Sequence, residues 1–214
     1  MPDKKNDSLR VIIMCKAPVP GFVKTRLCPD YSPEEAVEIH QAMARTVIER
    51  ATRLFSDVCI ASDDVEHPFF NEFSLNRTAQ GDGNLGDRMS YLLQKAFADG
   101  VGSVLFLGTD SPHMTDLRLI KAIELLSDCD AVIGPVEDGG YDLIAMNSPC
   151  TELFKDIRWS SEDVSKETIQ RAEASKIRME LLDTSFDLDT AESLKRAAPM
   201  WRPPLHLPGK HPEN

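Results

Sequence analysis

The 214-residue chain is 42% apolar and 28% charged, with a net charge of −11. That balance fits one α/β domain with a full core and excludes disordered and fibrous classes. The acid excess excludes a nucleic acid polymer as main partner, because a phosphate backbone demands a cationic face, whereas a small anionic ligand needs only a local cationic pocket.

The leader, residues 1–9, is charged and polar. The apolar run behind it, "RVIIMC", is too short for a signal peptide or a membrane span and reads as a buried strand, so a cytoplasmic protein without a membrane span is expected. The five cysteines are scattered, odd in number and lack a C-x-x-C pair, which reads as reduced thiols. The turn "APVPG" ends the strand.

Ser32, Pro33 and Glu35 then form a capping-box start for a helix whose apolar face is Ile39, Met43, Val47, Ala51 and Leu54. "DVCIA" (57–61) is the next strand. "LGDRMSYLLQKAFADG" is the next helix, with Leu85, Met89, Leu92, Leu93, Ala96 and Phe97 apolar and Gly100 as its stop. "SVLFLG" and "AVIG" are two further strands, separated by the amphipathic "TDLRLIKAIELL". This alternation predicts a single-domain, Rossmann-like, mostly parallel sheet with helices on both faces. "YDLIAM" (141–146) follows "AVIG" too closely for a helical crossover and predicts an antiparallel, mixed segment. "SEDVSKETIQRAEAS" reads as a helix capped by Ser160 or Ser161, followed by the strand "KIRMELL" and a short helix in "TAESLKRAA". The domain is therefore drawn over residues 10–198. Residues 199–214 carry five prolines and read as an extended tail whose Trp201, Leu205 and Leu207 pack on the core or on a second subunit, which leaves a homo-oligomer open.

In open α/β sheets ligands sit beyond the carboxyl ends of the strands. Five polar segments fall there, "KAPVPGFVKTRL", "QGDGNLGDRM", "GTDSPH", "EDGGY" and "FDLDT". In "KAPVPGFVKTRL" the run Lys16, Ala17 and Pro18 opens a stiff loop, Gly21 clears a side chain, and Lys24, Thr25 and Arg26 offer donors suited to phosphate oxygens. The P-loop spacing is absent, and a solvated basic loop is the competing reading. Asp110 in "GTDSPH" is a hard oxygen ligand at a strand end, or else a turn cap before Pro112. Asp187 and Asp189 in "FDLDT" repel unless a cation joins them, although Asp189 or Thr190 also suits a helix cap. Glu137 and Asp138 in "EDGGY" either face a substrate or close a hairpin. His113, isolated beside Pro112, reads as a surface residue.

In order, "KAPVPGFVKTRL", "QGDGNLGDRM", "GTDSPHM", "GPVEDGGYDLIAM", "WSSEDV" and "DLDT" resemble the nucleotide-diphospho-sugar transferase superfamily with the GT-A type fold. The similarity is closest to its small stand-alone bacterial glycosyltransferases, some associated with arsenosugar biosynthesis, and covers about residues 10–195. The resemblance implies that the first loop, with Lys24 and Arg26, wraps a nucleotide and its phosphates, with Gly81 and Arg88 of the second segment nearby. It also implies that Asp110 is the metal-binding acid, although "TDSP" replaces the D-x-D form, and that Asp189 is a second metal-associated acid. Where relatives read acidic-Leu-Gly-acidic-Arg, this chain has "NLGDR", and Asn84 can hydrogen-bond but supplies no charge.

The reading expected is a glycosyltransferase dependent on Mg²⁺ or Mn²⁺, with a nucleotide sugar as donor and a small-molecule acceptor. Asp138 or Glu137 would orient or deprotonate that acceptor, and Asp110 would hold the metal at the reacting diphosphate. The enzymatic rival is a nucleotidyltransferase, similar to phospholactate guanylyltransferase or the molybdenum-cofactor nucleotidyltransferases, releasing pyrophosphate from a nucleoside triphosphate. The rival from another class is a non-catalytic nucleotide-binding module.

Overall fold

A computed structural model of the chain describes residues 8–201. Seven strands form one sheet: β1 (Leu9–Met14), β2 (Val58–Ser62), β3 (Asn76–Ala79), β4 (Ser103–Gly108), β5 (Ala131–Pro135), β6 (Tyr141–Met146) and β7 (Met179–Leu181). Their order is β3-β2-β1-β4-β6-β5-β7. Every pairing is parallel except the two made by β6, which runs antiparallel to both β4 and β5. The short "VEDGG" connection dictates this, because a hairpin turn reverses the chain where a helical crossover would not.

Five helices, α1 (Pro33–Leu54), α2 (Leu85–Ala98), α3 (Asp116–Leu125), α4 (Val164–Ala174) and α5 (Ala191–Ala197), complete the fold. Strand side chains alternate between faces, so Val11, Ile13, Ile60, Leu105 and Leu107 pack with α1 and α3. Ile12, Ala61, Val104, Phe106 and Ile144 pack with α2 and α4 on the other side. Both faces are thus covered, as the continuous apolar runs of the central strands require.

Local signals behave as expected at α1, where Ser32 and Glu35 form a reciprocal capping box with Pro33 in the first turn, worth about 1 kcal/mol. Asn84 and Asp87 do the same for α2, and Gly100 follows it with φ +88°. Three expectations need correction. α4 begins at Val164 with Asp163 in the cap position and no side-chain cap. Neither Ser160 nor Ser161 caps it: Ser160 lies in the left-handed region at φ 65°, and the Ser161 hydroxyl accepts from the Asp163 amide instead. Leu85, assigned to the apolar face of α2, is 40% exposed. β3 is a strand the sequence reading did not contain.

A third apolar cluster sits at one end of the sheet, where Leu27, Tyr31, Ile39 and Met43 meet Phe186, Leu188, Leu194 and Trp201. Trp201 is 2% exposed and its indole N–H donates to the Thr46 hydroxyl at 3.0 Å. Trp201 of the expected tail therefore belongs to the core, although Met200 before it is 48% exposed. Leu205 and Leu207, with the rest of 202–214 and residues 1–7, lie outside the described residues. β1 opens at Leu9, inside the segment read as leader.

Candidate active site

The loop after β1 is bound to its neighbours through backbone contacts. The Lys16 carbonyl lies 3.0 Å from His40 Nε2 on α1, and the Ala17 amide donates to Asp63 Oδ1, beyond β2, at 2.8 Å. Ala17 and Pro18 are buried and form the base of the loop. Gly21 turns the chain at φ +79° in open space, so backbone conformation is what selects glycine there. Lys24 takes the left-handed conformation at φ 48° although it carries a side chain, a strained choice that persists only where surroundings enforce it. The enforcement is visible on both sides: the next turn, Thr25–Leu27, buries Leu27 in the third cluster, and the Lys24 ammonium is gripped by acids.

Lys24 Nζ lies 2.8 Å from Asp110 Oδ1 and 2.7 Å from Asp189 Oδ1, and it donates to the Leu188 carbonyl at 2.9 Å. Its side chain is only 4% exposed. Burial alone would depress the lysine's pKa, but Asp110 and Asp189 outweigh it and raise it above its ordinary value. For Asp110, removal from water works upward, and the Lys24 ammonium prevails and holds the carboxyl below its usual range. The β4 and 183–190 segments are also joined directly, by the Leu188 amide on the Asp110 carbonyl and the Ser111 hydroxyl on the Phe186 carbonyl. Arg26 adds a looser cation, 3.3 Å from Asp189 and 4.0 Å from Asp138.

Asp138, Asp187 and Asp189 offer carboxylate oxygens all within 4.8 Å of one another. Asp187 is pushed up to about 7, by burial first and then by the charges of Asp138, Asp189 and Asp110. Hard oxygen donors at this density, with one of them raised by uncompensated negative field, are a donor set that fits Mg²⁺ or Mn²⁺. Asp189 is common to this trio and to the lysine clamp, and the Lys24 ammonium stands between it and the Asp110 carboxylate.

A cavity of about 520 Å³ opens beside Lys24, Asp110 and Asp189, and Asp138 and Asp187 are not among the residues that line it. Lys16, Lys24, Thr25, Arg26, Arg88 and Asp110 line it. Gly81 does not: it turns at φ +87° against the Tyr91 ring. Arg88 spans to the Gly83 carbonyl and the Gln80 side chain. Glu137 points elsewhere, in a bidentate pair with Arg196 at 2.6 and 2.8 Å. That guanidinium lies over Phe186, whose ring also stacks with His113 at 4.1 Å. His113 is accordingly buried rather than on the surface.

Among the cavity residues that the sequence reading did not assign to the site are Phe22, which is 75% exposed, His40, Gln80 and Ser160. The apolar and hydroxyl residues carry no signal of their own. His40 sits at a helical position that reads as an ordinary turn of α1.

Residues 40–161 match the model of the family described as "Uncharacterized protein conserved in bacteria" (DUF2064). Among solved structures, the chain is similar to a protein of Desulfovibrio desulfuricans G20 provisionally described as a nucleotide-diphospho-sugar transferase. The two are 30% identical with a TM-score of 0.79 over 85% of this chain and 82% of that one. CMP:2-keto-3-deoxy-manno-octonic acid synthetase, solved with CTP, matches at 12% identity and TM-score 0.59 over 89% and 96% of the two chains. A cytidylyltransferase of Leptospira borgpetersenii serovar Hardjo-bovis (strain JB197) matches at 13% and 0.59 over 89% and 86%. At these lower identities the likeness is one of fold. No curated protein matches the sequence.

Proposed function

Since the chain belongs to the DUF2064 family and to the nucleotide-diphospho-sugar transferase superfamily, we propose that it is a glycosyltransferase that takes a nucleotide-diphosphate sugar and a small hydroxyl-bearing acceptor. The observation that carries this reading is the convergence of Lys24 and Arg26 with Asp110 and Asp189 at one cavity wall, with Asp138 behind it at 4.0 Å from Arg26. Cations suited to a diphosphate lie beside hard oxygen ligands suited to Mg²⁺ or Mn²⁺.

In the proposed reaction the acceptor oxygen bonds to the anomeric carbon while the bond from that carbon to the diphosphate oxygen breaks. The electron pair of the broken bond leaves with the nucleoside diphosphate, and the acceptor proton passes to a carboxylate. Asp138 suits that step better than Glu137, whose two oxygens are held by Arg196. Lys16, Lys24, Arg26 and Arg88 bind and orient the diphosphate, and Lys24 and Arg26 stabilise the charge that grows on it. Asp187 and Asp189, with Asp110 beside them across the Lys24 ammonium, would hold the metal, which leaves Asp138 to take the proton. A bound Mg²⁺ or Mn²⁺ supplies Lewis-acid neutralisation of the leaving diphosphate.

The cation count also suits a triphosphate, which keeps the nucleotidyltransferase as the second reading. Product identity separates the two. Release of a nucleoside diphosphate from one of a panel of sugar nucleotides, with Mg²⁺ or Mn²⁺ present, supports the proposal. Release of pyrophosphate from a nucleoside triphosphate replaces it. Nucleotide binding with neither product identifies a non-catalytic module.

A further inference from the structure

The motif "WSSEDV" enters the site described above only through Ser160, and the structure builds a second cavity with its tryptophan. This cavity, about 400 Å³, lies between α2 and the 151–159 segment. Asn84, Asp87, Ser90 and Gln94 line it from the α2 side, and Asp156 and Trp159 from the other.

The geometry points to this cavity as the acceptor site, and we propose that it binds an uncharged, hydroxyl-rich molecule, a sugar or polyol, which rests on the transferase reading above. Three observations support it. The lining combines the Trp159 ring with carboxylates, the Asn84 and Gln94 carboxamides and the Ser90 and Thr151 hydroxyls. The ring offers an apolar face to C–H groups, and the planar polar groups match pairs of hydroxyls.

The cavity also borders the donor cavity. Asn84 lines both, and Trp159 in one is followed directly by Ser160 in the other. An acceptor held here borders the place where a donor sugar would be presented.

The wall is built rather than incidental. Asp156 and Ser160, with φ of 52° and 65°, bracket the residues that carry Trp159. Arg158 then fixes the segment to Glu167 and Asp163. Gly86 of α2 admits the ring, since a Cβ there would lie 2.8 Å from the Trp159 indole nitrogen and 2.5 Å from the Phe154 carbonyl oxygen.

Charge selects against a phosphorylated sugar. Asp87 and Asp156 line the cavity against one lining cation, Lys155, which is paired with Glu152 at 3.3 Å, while Asp156 is met from outside the lining by Arg171 at 3.4 Å.

The test uses the full-length protein and two variants. Ser90→Trp fills the cavity. Asp156→Gly removes one carboxylate at a left-handed position that glycine accepts without strain, so the result does not depend on a crowded variant folding. Saturation-transfer NMR is recorded with methyl glycosides of glucose, galactose, mannose and ribose, with glycerol, and with glucose 1-phosphate. Melting-temperature shifts with nucleoside diphosphate and Mg²⁺ are read on the same samples. Transfer to at least one neutral probe is expected in the wild type, abolished by Ser90→Trp and weakened roughly fivefold by Asp156→Gly, the loss of one good hydrogen bond. The nucleotide shift should persist in all three proteins.

No transfer to any neutral probe, transfer unchanged in both variants, or a stronger signal from glucose 1-phosphate than from the neutral glucoside would overturn the acceptor assignment while leaving the nucleotide reading intact. A wild type with no nucleotide shift would instead remove the transferase reading on which the assignment rests.

Discussion

The Lys24 ammonium and the Asp110 carboxylate meet at 2.8 Å across opposite degrees of burial, the lysine side chain 4% and the aspartate 47% exposed. The cation is held inside, and the acid keeps an open side toward the cavity. That asymmetry sets what Asp110→Asn should do. Lys24 retains Asp189 and the Leu188 carbonyl, so the cost in stability should be about 1–2 kcal/mol, well below the penalty for orphaning a fully buried charge. Turnover should fall on the order of a hundredfold, because ~3 kcal/mol of transition-state stabilisation goes with the carboxylate. Steady-state kinetics beside urea midpoints separate the two effects, and near wild-type turnover would return Asp110 to a structural role.

Lys24 occupies the ground between Asp110 and Asp189 when no ligand is bound, so it competes with any divalent cation for the Asp189 carboxylate. Lys24→Met should therefore tighten nucleotide-free Mn²⁺ binding by about tenfold, the effect of removing one nearby like charge at an intermediate dielectric. The same variant should weaken binding of a nucleoside diphosphate. Titration calorimetry with Mn²⁺ alone, then with nucleotide, reads both; unchanged Mn²⁺ affinity would show that the lysine and the metal do not share a ligand.

His113 gives a pH dependence with a definite sign. Burial first, then the charges of Arg196, Arg50 and Arg118, lower its pKa from 6.5 to about 4. The unfolded chain therefore binds the proton more readily, and the stability of the neutral ring, present above 6.5, is lost as pH falls through about 4. The size is roughly 3 kcal/mol. His113→Phe keeps the stacking on Phe186 and removes two buried nitrogens that have no hydrogen-bond partner among the described residues. It should match or exceed the wild type near neutrality and flatten the acid limb between pH 6.5 and 4. Parallel denaturation curves across that window would refute this if they ran the same slope.

Trp201 should be a core residue in energetic terms as well as in position. Trp201→Ala should cost about 3–5 kcal/mol, the range for deleting a large buried aromatic. Thr46→Val, which removes the hydroxyl that accepts from the indole N–H, should cost about 1 kcal/mol, the net worth of one hydrogen bond. Urea midpoints measured at constant slope test both.

The parts of the fold that were legible in sequence are those whose physics is local. β1, β4, β5 and β6 are apolar runs between turns, the capping box of α1 lies within four residues, and the antiparallel β6 follows from the length of its connection. β3 was invisible because an edge strand reading "NRTA" buries almost nothing and has no apolar period. The start of α4 was misplaced because its serines have turn chemistry that looks like capping until the backbone at Ser160 is known. At the site, residue types at strand ends were readable one by one, but their partnership was not. Lys24 and Asp189 are 165 residues apart, and no spacing rule links them. Nor did the sequence reveal that Glu137 would be taken by Arg196 while its neighbour Asp138 faced Asp187.

The third apolar cluster has a consequence for the order in which the molecule assembles. Thr46 and Trp201 touch across 155 residues of sequence, and the turn that anchors the cation loop, through Leu27 and Tyr31, packs in that same cluster with Phe186, Leu188 and Leu194. Contacts this distant along the chain carry a large loop-closure cost and form late, after the β1–β4 centre of the sheet has its neighbours. Residues 186–201 supply two of the acids as well as the cluster that seats the loop opposite them. A nascent or truncated chain lacking them can build most of the sheet and still present a cation loop with neither seat nor counter-charge, so ligand competence is acquired in the same closing event that completes the core.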